Sequence, residues 1–119
     1  MKYSPMTEYL KSLETGLKKL EIPILYKLPD ESYPEPFIVI GGHSDDDSQS
    51  AKIGAAVVLT DVQIDVYHPM TGRTGIEDLL YKVKACLGRP QSVTSEILID
   101  DSIGREVYHI VIQLKNYVI

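Results

Sequence analysis

Hydrophobic and polar positions alternate most regularly between Ala56 and Leu87. From Ala56 to His68, Val58, Thr60, Val62, Ile64 and Val66 fall on one side of an extended chain. Leu59, Asp61, Gln63, Asp65 and Tyr67 fall on the other. This two-residue period predicts a strand with one core face and one polar face. After the turn Pro69 to Gly75 the period changes: Ile76, Leu79, Leu80, Val83 and Leu87 recur at three- and four-residue spacing. That pattern predicts a helix over Ile76 to Leu87, with Thr74 as N-cap, Glu77 completing a capping box, and Gly88 and Pro90 ending it.

The same helical period recurs near the start, in Met6, Tyr9, Leu10, Leu13, Leu17 and Leu20. It predicts a helix over residues 4–20, with Ser4 as N-cap and Pro5 in the first turn. Gly16 interrupts this helix; it marks either a close packing contact or a local weakness. Ile22 to Leu28 reads as an edge strand, because Pro23 cannot donate to a ladder. Pro29 to Pro36 reads as a stiff connector. Phe37 to Ile40 is wholly apolar, so it reads as a strand covered on both faces, and it ends at Gly41-Gly42. His43 to Gly54 reads as a long polar loop carrying Asp45, Asp46 and Asp47. Ser92 to Asp100 and Arg105 to Tyr117 form a hairpin turning at Asp101 to Gly104. His109, Val111, Gln113 and Lys115 share one side of its second strand.

These elements compose one α+β domain in the order α-β-β-β-α-β-β. The expected architecture is a mostly antiparallel sheet of four to five strands with two helices packed on one face. The 119 residues suit a single core. A formal net charge of −5 without a basic cluster argues against binding nucleic acid through phosphates. The single cysteine, Cys86, excludes an intrachain disulfide and reads as a small buried hydrophobe. The N-terminal residues carry no apolar segment of a signal peptide, and no apolar run is long enough to span a membrane.

Chemistry is sparse. His43, His68 and His109 have no metal-motif spacing, and one cysteine makes no zinc knuckle. The three adjacent aspartates lack the alternating ligands, turn glycine and following glutamate of a calcium loop. Asp61 and Asp65 share a strand face, as carboxylates of metal-dependent nucleases do, but no companion lysine is identifiable. No nucleophile elbow, phosphate-binding loop or dinucleotide fingerprint is present. The expectation is therefore no catalytic residue, no metal and no cofactor.

The run PFIVIGG (Pro36 to Gly42), the strand Val62 to His68, and Gly72 with the helix from Ile76 to Leu87 resemble the tail-completion, tail-terminator and head–tail joining proteins of long-tailed bacteriophages. The leading helix and closing hairpin extend the resemblance over most of the chain. It implies a non-enzymatic virion protein, made in the host cytoplasm and located in the tail or at the head–tail interface. It further implies self-assembly into rings, commonly hexamers, that cap or complete the tail tube. The expected partners are other copies of the chain, the tail tube protein, the head connector proteins, and DNA passing through without specific binding.

In that setting His43, Ser44, Asp45, Asp46, Asp47, Ser48 and Lys52 form a candidate assembly loop. Asp61, Gln63, Asp65 and Tyr67 form a candidate channel or interface face, whose negative charge would keep phosphate from sticking. The alternative readings are a metal-dependent nuclease or hydrolase using Asp61 and Asp65, and an adaptor that binds a partner through the loop.

Overall fold

The computed structural model of the chain describes residues 3–48 and 57–118. Helix α1 spans Pro5–Leu17, and the Ser4 hydroxyl accepts a hydrogen bond from the Thr7 backbone N–H at 3.1 Å. Pro5 sits in the first turn, where a missing N–H costs nothing. A 3-10 turn over Lys18–Leu20 prolongs the helix, and Glu21 ends it in the left-handed conformation.

Among the described residues five strands follow: β1 (Ile24–Leu25), β2 (Phe37–Asp46), β3 (Val58–His68), β4 (Ser92–Asp100) and β5 (Val107–Val118), with helix α2 (Arg73–Ala85) between β3 and β4. They form one sheet in the order β1-β2-β3-β5-β4. The pairings β2–β3, β3–β5 and β5–β4 are antiparallel, and β1 is parallel to β2. The fold is thus α+β with a mixed five-stranded sheet, antiparallel except for the β1–β2 pair. β1 is shorter than its sequence suggests. It starts after Pro23, whose carbonyl accepts the Ile38 N–H at 2.8 Å.

Both helices cover one face. Leu13 and Leu17 of α1 and Ile76 and Val83 of α2 share a core with Ile38, Ile40, Val62, Ile64, Val66, Ile110, Ile112 and Leu114. Cys86 is only partly buried, packed against that core. Gly16 marks a close approach between the helices: a Cβ there would stand 2.4 Å from the Cys86 carbonyl oxygen.

Three further differences from the sequence reading stand out. First, α2 begins at Arg73, so Thr74 lies inside the first turn and is not the cap. Gly72 precedes the helix at φ 142°, a backbone that favours glycine, and no side chain caps it.

Second, residues 43–46 are not loop. β2 continues through Asp46, pairing His43, Ser44, Asp45 and Asp46 with Val62, Asp61, Thr60 and Leu59. Backbone pairing with β3 overrides the weak strand preference of these polar residues. Third, the ladder slips between Ile40 and His43, where Gly41 and Gly42 together oppose Gln63. A Cβ on Gly41 would lie 3.3 Å from the Gln63 carbonyl oxygen, a tight fit that glycine avoids.

That extra residue exchanges the faces of β2. Ile38 and Ile40 point to the helices before the bulge, and His43 and Asp45 share that side after it.

Candidate functional site

The face of the sheet away from the helices carries Ser44, Asp46, Asp61, Gln63, Asp65 and Tyr67, and it divides into three zones along the strands. At one end Phe37, Val39, Tyr67, Ile103 and Val107 form a second small core, with Tyr33 and Leu25 packed against it. Its cover comes from the connector before β2 and from the β4–β5 turn. Ile103, in that turn, is 6% exposed. Arg105 holds the two covers together: its guanidinium pairs with Glu35 and donates to the backbone carbonyls of Glu31 and Tyr33. The rings run as a ladder across strands: Tyr33 edge-on to Phe37 at 5.5 Å, Phe37 stacked on Tyr67 at 4.9 Å, and Tyr67 stacked on His109 at 4.3 Å.

The middle zone is a hydrogen-bonded chain of polar side chains. His109 Nε2 lies 2.6 Å from Asp65 Oδ1, and His109 Nδ1 lies 2.8 Å from Asp100 Oδ2. Gln63 Nε2 donates to both Asp65 oxygens, at 3.1 and 3.0 Å, and Gln113 Nε2 donates to Gln63 Oε1 at 2.8 Å. The Ser102 backbone N–H donates to Asp100 Oδ1 at 2.7 Å.

Burial opposes charge on His109, but its hydrogen bonds to Asp65 and Asp100 and their negative charges outweigh it, raising its pKa above the ordinary imidazole value. Hydrogen bonds from Ser102 hold Asp100 below the usual carboxylate range, against burial and with help from His109. Burial, together with the charges of Asp65 and Asp100, pushes the Tyr67 hydroxyl up to about 12.

The outer zone is the far end of β2 and β3. Ser44 and Lys115 flank Asp61 on the neighbouring strands. With Asp46 and Leu59 they line a hollow of about 190 Å³. On the opposite side of the ribbon, Asp45 Oδ1 accepts from Thr60 Oγ1 at 2.7 Å and lies 2.8 Å from His43 Nδ1. The Thr60 hydrogen bond and then His43 lower the Asp45 pKa, with burial opposing. The Ser48 backbone N–H donates to Asp46 Oδ1 at 2.9 Å.

The candidate residues therefore separate. His43, Ser44, Asp45 and Asp46 belong to a strand; Asp47 and Ser48 are exposed beyond it; Lys52 lies outside the described residues. Of the candidate channel face, Asp61 and Gln63 are partly exposed, while Asp65 and Tyr67 are 8% and 6% exposed. Asp65 is engaged by His109 and Gln63, and Tyr67 lies between two rings.

The sequence reading gave His109 only a place on one side of its strand and did not single out Asp100. Residue parity places His109 opposite the helix-facing side, but only the register, with His109 across from Tyr67 and from Leu98, brings it between two aspartates. Among the described residues no group of three or more His, Cys, Asp or Glu side chains is arranged to hold a metal ion, and no helix is long and apolar enough to cross a membrane.

Compared with known proteins, the chain matches no protein-family model and no curated sequence.

Proposed function

We propose that the chain is a ring-forming structural subunit of a long-tailed bacteriophage, of the tail-terminator or tail-completion type, that joins tail to head. The observation that carries this reading is the β2–β3 ribbon. Its far end presents side chains His43 to Ser48, all exposed, beyond the helix-covered core. A paired ribbon offers a neighbour an ordered surface at little entropic cost, unlike a free loop. The α+β sheet with helices packed against it is compatible with the same reading.

Within this proposal His43, Ser44, Asp45, Asp46 and Asp47 meet a neighbouring subunit or the tail tube. Asp61 and Gln63 are the members of the outer row with surface left to line a passage for DNA. Asp65 and Tyr67 support them from within. Catalysis is not part of the proposal, and neither is a metal or a cofactor. The nuclease alternative has less support, because both Asp65 oxygens already accept hydrogen bonds.

The test is capping. Added during polymerisation of the cognate tail tube protein, the chain should halt growth and fix tube length. Unaltered tube growth in its presence would overturn the proposal.

A further inference from the structure

The arrangement around His109 cannot be satisfied by a neutral imidazole. Asp65 is an acceptor, because Gln63 donates to both of its oxygens. His109 Nε2, at 2.6 Å, must therefore carry a proton. On the other side Asp100 accepts the Ser102 N–H through Oδ1, and its Oδ2 faces His109 Nδ1 at 2.8 Å. A neutral ring with its one proton on Nε2 would turn the Nδ1 lone pair toward a carboxylate. Only the doubly protonated ring donates on both sides.

The cluster bridges three strands: Asp65 on β3, His109 on β5 and Asp100 on β4. Among the described residues β4 is the sheet edge and pairs with β5 alone. Asp100 is its last residue and leads into the turn whose Ile103 plugs the second core.

We infer that Asp65, His109 and Asp100 form a proton-dependent latch that holds the end of β4 and the β4–β5 turn closed over the second core. With the imidazolium in place the latch is shut. When the proton leaves, the lone pair of one ring nitrogen opposes a carboxylate in a site where His109 is only 12% exposed and water screens little. The end of β4 and the turn then open locally, uncovering Phe37, Tyr67 and Val107. The titratable groups packed against the ring are Asp65 and Tyr67 from β3 and Asp100 from β4; the helices are on the opposite face. Tyr67 stays neutral well above the range in which His109 titrates, so it leaves the response to the histidine.

The latch operates whatever surface the virion uses, so it stands apart from the proposed role. Its test is nitrogen-detected NMR of the imidazole, combined with amide hydrogen exchange of the folded chain across pH. The expected result is a doubly protonated His109 ring at neutral pH, with a titration midpoint above the ordinary value of about 6.5. The opening equilibrium for residues 98–104, corrected for intrinsic exchange, should rise about tenfold for each unit by which that midpoint exceeds the midpoint of the opened state, in which Asp65 alone still faces the ring. The β3 amides should show no such rise.

In Asp100→Asn the side-chain amide can donate to a neutral ring, so the midpoint should fall and the pH-dependent opening should vanish. Asp65→Asn should lower the midpoint by removing the other carboxylate, and it serves if the first variant folds poorly. A single-proton ring at neutral pH, or exchange at residues 98–104 with no pH dependence beyond the intrinsic rate, would overturn the inference.

Discussion

The carbonyl oxygen of Cys86 lies 2.4 Å from the position that a Cβ on Gly16 would occupy. The two helices meet at this point, α1 near its last turn and α2 at its C-cap, and backbone occupies the space where a side chain would go. Alanine is the better helix former by about 1 kcal/mol, so in an isolated helix Gly16→Ala would stabilise. In this fold the clash dominates. Gly16→Ala should lower stability by about 1–3 kcal/mol, the range for overpacking a core, as measured by urea unfolding. A variant as stable as the parent would mean that the helices separate without cost.

Two isoleucines of the hairpin, Ile99 and Ile103, behave differently. Ile103, in the turn, is 6% exposed and packs with Phe37 and Tyr67; Ile99, on the edge strand, is 61% exposed. Ile103→Ala should cost about 2 kcal/mol or more. Ile99→Ala should stay within about 0.5 kcal/mol. Equal effects in thermal unfolding would show that the second core is not closed by the turn.

Much of this was legible in the sequence, and the missing part has a physical pattern. The alternation in Val62, Ile64 and Val66 and the stripe Leu13, Leu17, Ile76 and Val83 identify the main core, because burial sets both periods. The apolar run Phe37 to Ile40 signals cover on both faces, and both covers exist. What escapes is whatever depends on register. Gly41-Gly42 reads as the end of a strand, yet it is a bulge inside one, because β3 offers His43 to Asp46 a ladder that their own propensity does not ask for. Asp65 reads as surface because alternation shows only which face a residue occupies. It cannot show that His109 lies opposite or that the turn covers one end of that face. Lys52 lies outside the described residues.

Stability should depend on pH with opposite signs at its two ends. His109 has a raised pKa in the fold, so its contribution is complete below the unfolded value of about 6.5 and is lost as pH rises through the folded value. Asp100 has a lowered pKa, so its contribution is present above the unfolded value and is lost as pH falls through the folded one. Chemical denaturation across pH should show an alkaline decline that Asp100→Asn weakens. A parent whose alkaline decline is unchanged in that variant would contradict the assignment.

Ile64 is wholly buried at the centre of β3 and faces the helices. Ile64→Asp places an unpaired carboxylate in that core, a burden beyond most single substitutions. The variant should not fold. A soluble product with cooperative melting would contradict the placement of the strand.

Self-assembly is the most direct test of the account. Native mass spectrometry of the full chain across a wide concentration range should show a closed homo-oligomer with one defined subunit number, as a heterologous ring requires. A strict monomer at every concentration would contradict the reading of the chain as a ring subunit.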